Sequence, residues 1–170
     1  MTARELQTAL VKDLGGLFKD SYFQTPYQEM VPLSVFRQRL PKRDAQSEED
    51  PFPYIIVRLD HGGLEGRTAP HKVSVLLVIG VFDDALLETK EPPPAEGWDT
   101  RNFGPDAVME IIERIQTHYE KHPSLEGGAF YFDGPFNWAL QDEDSYPYYF
   151  GVCELEFTLA APRRERSQFT

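Results

Sequence analysis

Hydrophobic residues are most concentrated in Lys72–Asp84, which contains the longest apolar run of the chain. β-Branched residues are abundant in this stretch, and it stops abruptly at Asp83 and Asp84. Its composition and length predict a β-strand with two mostly apolar faces. One face carries Val73, Val75, Leu77, Ile79 and Val81, and the other carries Ser74, Leu76, Val78, Gly80 and Phe82. Because a strand of this kind is buried on both sides, each of its faces needs a cover.

Two other stretches have apolar residues at helical spacing. The first spans residues 3–20, where Thr2 and Glu5 have the spacing of a capping box at the helix start. Gly15 and Gly16 weaken its last turn. The second is Asp106–His122. Pro105 suits the first turn of this helix, and Pro123 prevents the helix from continuing. The apolar stripes consist of Leu6, Leu10, Leu14 and Leu17 in the first helix, and of Val108, Ile111, Ile112, Ile115 and Tyr119 in the second.

The remaining patterned stretches predict further strands. Leu33–Leu40 places Arg37 and Arg39 on the same face as Val35, which is typical of a strand near a sheet edge. Phe52–Asp60 and Tyr148–Leu159 alternate between apolar and polar residues, and the second ends the ordered part of the chain. A hairpin is predicted between Ala129–Phe132 and Phe136–Leu140, with Asp133, Gly134 and Pro135 as its turn.

These elements predict an α+β fold: a single mixed or antiparallel sheet of five or six strands with two helices packed on it. We expect residues 1–162 to form one domain and residues 163–170 to be a basic, disordered tail. Residues 21–32, 41–51 and 86–104 are expected to be irregular, and the last of these loops has three consecutive prolines. A loop as long as 86–104 in a compact domain is usually functional or disordered.

The composition narrows the class of protein. The chain has 170 residues and a net charge of −11, which argues against a general nucleic-acid binder. The single cysteine, Cys153, excludes an internal disulfide and a cysteine metal cluster. The N-terminus lacks the uninterrupted apolar segment of a signal peptide. The apolar run at Lys72–Asp84 is shorter than the ~20 residues that span a bilayer. We therefore expect a soluble protein, without membrane contact, that is intracellular where it is made.

No group of residues in the sequence predicts catalysis. His118 and His122 have the spacing of the zinc pair in H-E-x-x-H, but Tyr119 replaces the glutamate that acts as the general base. Histidines in a last helical turn are explained by the negative end of the helix dipole. The glycines between Gly62 and Gly66 do not match a phosphate-binding motif, and no nucleophile elbow is present. We predict no catalytic residue, no metal site and no cofactor, and hence no enzyme.

Basic residues form two clusters, Arg37, Arg39, Lys42 and Arg43 in one and Arg163, Arg164 and Arg166 in the other. One interpretation is a solvated edge strand and a disordered tail. The other is that these bases meet acidic surface on an adjacent copy or a partner, which in a chain this acidic would steer assembly.

In the order of its predicted elements and in four sequence segments, the chain resembles the tail-terminator (tail-completion) and head–tail joining proteins of long-tailed bacteriophages. The segments are PYIIVRLD at 53–60, VSVLLVIGVFDD at 73–84, AVMEIIERI at 107–115 and YPYYFGVCELEFTLAAP at 146–162. The resemblance implies a helix-on-sheet subunit that forms a ring, commonly a hexamer. Such a ring caps the tail tube and attaches the filled head, and it needs no catalytic residue. An acidic lumen would let DNA pass without binding it stably.

The resemblance leads to the following expectations. The protein belongs to the virion, in its tail or neck, and is made in the cytoplasm of the host bacterium. Its partners are other copies of itself, the tail-tube protein and a head-completion or neck protein. Leu76, Val78 and Phe82 are buried by the first helix or by another copy, and Trp98 is a candidate interface anchor. The subunit or tube interface predicted in this way comprises Arg37, Arg39, Leu76, Val78, Phe82 and Trp98.

Two alternatives remain open. One is another neck or connector ring protein. The other is a non-viral cytoplasmic α+β domain that binds a ligand or a protein, which predicts a monomer or dimer with a well-formed apolar pocket. An enzyme would require zinc at His118 and His122.

Overall fold

A computed structural model describes residues 2–41, 51–84, 97, 104–143 and 145–160. Within these residues the elements follow the order α1, β1 to β5, α2, and β6 to β8, with one 3₁₀ turn after β6. The helices are α1 (Ala3–Leu17) and α2 (Gly104–Lys121). The strands are β1 (Tyr22–Gln24), β2 (Met30–Pro32), β3 (Ser34–Arg37), β4 (Tyr54–Gly63), β5 (His71–Phe82), β6 (Ser124–Leu125), β7 (Phe130–Leu140) and β8 (Tyr148–Leu159); the 3₁₀ turn is Glu126–Gly128.

Six strands form one mixed sheet in the order β3-β4-β5-β8-β7-β6. β3 runs parallel to β4, and every other neighbouring pair is antiparallel. The apolar strand β5 therefore lies in the interior of the sheet, between β4 and β8. The predicted α+β fold, with two helices and a sheet of six strands, is confirmed.

Both helices pack as their apolar spacing predicts, although α2 begins at Gly104 rather than at the predicted Asp106. At the start of α1, the Thr2 hydroxyl accepts from the Glu5 N–H and the Glu5 carboxylate accepts from the Thr2 N–H, which is the predicted capping box. α1 continues through Gly15 and Gly16 and ends at Leu17. The predicted stripe of α2 is fully buried, as are the first three leucines of α1.

The two helices pack on the same face of the sheet, which we call the first face. The core joins both helical stripes to the odd-numbered β5 residues, which lie on this face (Val73, Val75, Leu77, Ile79 and Val81). Contacts between the helices hold their ends together. Arg114 of α2 donates to the Leu17 carbonyl at 3.1 Å and to the Ser21 hydroxyl at 2.5 Å, and its guanidinium lies 4.6 Å from the Phe18 ring centre.

The predicted hairpin between Ala129–Phe132 and Phe136–Leu140 is wrong. Both halves belong to the single strand β7, which pairs with β8 along its length. Three residues, Asp133, Gly134 and Pro135, lie between the partners of Phe157 and Leu155, where β8 has only Glu156. The Asp-Gly-Pro sequence therefore forms a β-bulge rather than a turn.

Residues 21–32, predicted to be irregular, contain a small antiparallel sheet of β1 and β2. Thr25 closes the connection between them, because its hydroxyl accepts from the N–H groups of Tyr27 and Glu29. The Gln24 side chain donates to the Asp84 carboxylate at 2.8 Å, which ties this sheet to the segment that follows β5.

Candidate assembly surfaces

The sheet face opposite the helices, which we call the second face, carries the even-numbered residues of β5. Leu76 and Val78 are partly exposed there, whereas Phe82 is 8% exposed. Because α1 packs on the first face, the expectation that the first helix covers these three residues is wrong. The alternative, burial by another copy, is not tested by a single chain. The second face is nevertheless apolar around Val78, whose cross-strand neighbours are Ile56 and Val152.

An aromatic cluster occupies one end of the second face. The Phe52 ring centre lies 5.0 Å from that of Tyr54, 4.8 Å from Tyr148 and 5.8 Å from Phe150. Phe82 joins the cluster through Tyr148 at 5.5 Å. These spacings and tilted ring planes are the preferred geometry of aromatic pairs, which add about 0.5–1.5 kcal/mol each beyond their buried area. Phe82 is therefore buried by its own chain.

Gly80 gives the Tyr54 ring room on this face. The two residues are cross-strand partners, and a Cβ atom at position 80 would lie only 2.4 Å from the Tyr54 ring carbon Cζ. The ring thus lies directly on the β5 backbone. This contact explains both the glycine within an otherwise β-branched strand and the burial of Tyr54. Burial in turn raises the pKa of the Tyr54 hydroxyl.

Polar side chains occupy the other end of the second face. Lys72 and Glu156 form an ion pair with 3.7 Å between Nζ and Oε1. The Ser74 hydroxyl donates to the Glu154 carboxylate at 3.4 Å. Arg58 and Glu154 flank Leu76 on the neighbouring strands. The second face therefore changes from charged to aromatic along the length of β5.

The basic edge strand is shorter than predicted. β3 ends at Arg37, because Gln38 has a positive φ of 65° and the Arg39 N–H donates back to the Arg37 carbonyl. Arg37 lies on the first face with Val35, as predicted, and its Nε donates to the Gln7 side chain at 3.3 Å. Arg39 lies beyond the strand, so the prediction that it shares this face as a strand residue is wrong. Lys42 and Arg43 lie outside the described residues.

The Gln7 side chain fixes this edge to α1. Its Nε2 donates to the Gln38 side-chain oxygen at 2.9 Å and to the Val57 carbonyl at 2.8 Å. The same Gln38 oxygen accepts from the Leu59 N–H at 3.0 Å. Gln7 is buried, and these bonds satisfy it. Sequence reasoning missed this network, since a glutamine on the edge of an apolar stripe gives no distinctive signal.

Trp98, the predicted anchor, lies outside the described residues, as do the arginines of the C-terminal basic cluster. Trp138 is the tryptophan that the structure describes, and it is 50% exposed on β7. Three further large apolar side chains on or between β1 and β2 are exposed, namely Tyr22, Tyr27 and Met30. The sequence predicted neither the exposed Trp138 on β7 nor the exposed side chains of the β1–β2 sheet. A tryptophan at an alternating position of a predicted strand was the available signal for Trp138.

His118 and His122, at the C-terminal end of α2, contact other side chains of the protein. His118 Nε2 lies 2.8 Å from the Asp13 carboxylate of α1, and its ring centre lies 5.5 Å from that of His122. Among the described residues, no group of three or more His, Cys, Asp or Glu side chains is placed to hold a metal ion. The neighbouring Tyr119 hydroxyl is buried without a hydrogen-bond partner. Burial, followed by the negative charge of Asp13, raises the pKa of Tyr119.

A cavity of about 620 Å³ lies between α1, β3 and the start of β7. Arg4, Glu5, Lys12, Arg37 and Glu126 contribute to its lining. Charged side chains therefore line much of it, unlike the apolar pocket that a small-ligand-binding domain predicts.

Compared with models of known protein families and with curated protein sequences, the chain matches none. In the part of the chain that the structure describes, no helix is both long and apolar enough to cross a membrane. Taken together, exposed apolar or charged side chains lie on the second sheet face, at the two edges of the sheet and on the β1–β2 sheet.

Proposed function

We propose that this protein is a structural virion protein of a long-tailed bacteriophage, a tail terminator. Its copies form a ring, a hexamer in the group that the sequence resembles, which caps the tail tube and joins it to the head. The observation that carries the proposal is the second sheet face. Both helices pack on the opposite side, and Leu76 and Val78 remain partly exposed beside an aromatic cluster. Apolar surface of this kind is typical of protein–protein contacts.

The charge of the chain supports this role. A net charge of −11 gives the assembled ring a strongly negative field, which repels the phosphates of DNA passing through it. The two sheet faces also have different roles. The helices pack on the first face, and the second face is available to another protein of the assembly.

The experiment compares the wild-type chain with Leu76→Lys and Leu64→Lys. Glu154 lies directly opposite Leu76 in the sheet, so a lysine there gains a cross-strand partner and the fold should be retained. Leu64 is 62% exposed in the β4–β5 loop and is the matched control. Size-exclusion chromatography with light scattering, with and without purified tail-tube protein, measures assembly. We expect wild type and Leu64→Lys to bind the tail tube, and Leu76→Lys to lose that binding.

A wild-type chain that is strictly monomeric and does not bind tail-tube protein would contradict the proposal. Negative-stain imaging of tails made without the protein separates a terminator from another neck ring protein. Overlong tails indicate a terminator, and tails of normal length without heads indicate a neck ring. A monomer or dimer that binds a cellular ligand would instead favour the non-viral binding domain.

A further inference from the structure

The two ends of the sheet differ in charge, and both have strand edges that the described residues leave open. The first is the outer edge of β7. β6 pairs only with Phe130 and Tyr131, and the Phe132 N–H reaches the Pro123 carbonyl. Beyond the bulge, Phe136–Leu140 pairs with β8 on one side, and among the described strands none pairs with it on the other.

The direction of the free backbone groups on β7 follows from its pairing. Gln141 donates its N–H to the Phe150 carbonyl, so the odd-numbered residues of this segment direct their backbone groups toward β8. Phe136, Trp138 and Leu140 therefore direct their N–H and C=O groups outward. An edge of five residues with an exposed tryptophan at its centre is a template for another strand.

Acidic side chains flank this open edge. Asp133 precedes it in the bulge, and Asp142 and Glu143 follow it, and all three are exposed. An added strand would therefore meet negative charge at both ends of the β7 edge.

The opposite end of the sheet is the basic strand β3. Its residues Ser34 and Gln38 donate their N–H groups to carbonyls of β4 and of the segment before it, so Val35 and Arg37 direct their N–H groups away from β4. The Val35 carbonyl also points outward, whereas the Arg37 carbonyl already accepts from the Arg39 N–H. Arg37 and Arg39 are exposed at this edge. β3 has four residues, so it can pair along most of the five-residue open segment of β7.

We propose that β3 of one copy adds antiparallel to the open Phe136–Leu140 edge of β7 in the next copy, with Arg37 and Arg39 against Asp133. The charges favour this head-to-tail contact over the two symmetric ones. Pairing β7 with β7 would bring two acidic groups together, and pairing β3 with β3 would bring the arginines together. A head-to-tail contact between different edges closes into a ring when the rotation between copies allows it.

This inference rests on the proposed function and names the contact that builds the ring. The sheets of neighbouring copies become continuous, so all second faces point to the same side of the ring. Leu76 and Val78 then contact the tail tube rather than the neighbouring copy.

The test exchanges the charges. The Arg37→Glu/Arg39→Glu variant and the Asp133→Lys variant each place like charges across the contact, and we expect assembly at low salt to weaken at least about tenfold in each. The chain that carries all three substitutions restores opposite charges and should assemble like wild type. Lys19→Glu/Lys121→Glu and Glu113→Lys/Glu120→Lys, at exposed positions away from both edges, are the matched controls and should assemble normally.

A second pair of variants tests the backbone contact. Trp138→Val and Trp138→Pro both remove the indole ring, but only proline removes the outward N–H, and neither removes a hydrogen bond to β8. We expect Trp138→Pro to assemble at least about tenfold more weakly than Trp138→Val, since a strand-to-strand hydrogen bond is lost. The inaccessibility of the Cys153 thiol verifies that each variant is folded.

Charge exchanges that leave assembly unchanged, or a three-substitution chain that fails to recover, overturn the edge contact. If Leu76→Lys alone abolishes binding to the tube in that case, the proposed function survives. If rings form through the edges but neither tubes nor heads bind them, the proposed function fails and the edge contact stands. A wild-type chain that remains a monomer with and without tube protein overturns both.

Discussion

The hydroxyl group of Tyr119 is buried beside the Asp13 carboxylate, in the seam between α1 and α2, without a partner in hydrogen-bond geometry. An unsatisfied buried polar group costs about 1–3 kcal/mol, whereas the ring itself packs against Phe132 and Phe157. Tyr119→Phe keeps the ring and removes the hydroxyl. We therefore expect this variant to gain about 1 kcal/mol in free energy of unfolding at pH 7, as measured by urea denaturation.

The gain should grow at alkaline pH, because the folded chain holds the pKa of Tyr119 above its ordinary value of about 10. In the unfolded chain the phenol ionises at about pH 10, whereas in the folded chain it stays protonated to higher pH. The free energy of unfolding is therefore unaffected below about pH 10 and falls as the pH rises further. The phenylalanine variant lacks this loss. Tyr131→Phe, at a side chain that is 47% exposed, is the control and should change stability by less than about 0.5 kcal/mol. A destabilised Tyr119→Phe, or a gain that stays constant between pH 8 and 11, would contradict this account.

At the scale of the elements, α2 packs closely on β8 at Gly151. A Cβ atom at this position would lie 2.6 Å from Cγ1 of Val108 and 3.4 Å from Cδ1 of Ile112. Gly151→Ala should therefore destabilise the protein by about 1–3 kcal/mol through overpacking. Val108→Ala removes the methyl group that the new Cβ meets. We expect the double variant to be more stable than the sum of the single effects predicts, by at least about 0.5 kcal/mol in a denaturation cycle.

Gly16→Ala is the contrasting control, because a Cβ there meets no atom within 4 Å and the position is helical. Replacing a helical glycine by alanine should stabilise the chain by about 0.5–1 kcal/mol. Additive effects of Gly151→Ala and Val108→Ala would show that Val108 does not limit the approach of α2 to the sheet.

The periodic elements could be predicted from the sequence because burial dictates their pattern. α2 has apolar residues at helical spacing, β5 is a continuous β-branched apolar run, and the capping box at Thr2 is a local signal. β7 could not be predicted in this way. Asp-Gly-Pro is common in turns, and only the pairing of β8 with both halves of β7 makes it a bulge. The same holds for β1 and β2, whose three-residue strands are too short for a period.

The candidate surfaces were predictable only in part. The two apolar faces of β5 were visible in its sequence, but which face the helices cover depends on how α1 and α2 lie side by side. Arg37 was correctly placed at an edge, whereas the turn at Gln38 separates Arg39 from the strand. The open edge of β7 follows from the shortness of β6, which has two residues and no pattern to find.

At the scale of the whole molecule, the two edges of the sheet carry opposite charges. Basic β3 and the acidic β7 edge lie at opposite ends of the strand order. Exposed charges interact less strongly as salt increases, whereas burial of apolar surface does not depend on opposite charges. Contacts between copies through the edges should therefore be more sensitive to salt than contacts through the second face.

Cys153 reports on the unfolding of the whole molecule, because it is the single cysteine of the chain and lies fully buried in β8. Burial raises its pKa to about 12, so roughly one thiol in ten thousand is ionised at pH 8. We expect a thiol reagent to label the native protein only when the sheet opens. The labelling rate should then depend on denaturant with the slope of global unfolding, and the Cys153→Ser/Leu64→Cys variant should label at once. Rapid labelling of native Cys153 without denaturant would show that β8 opens independently of the core.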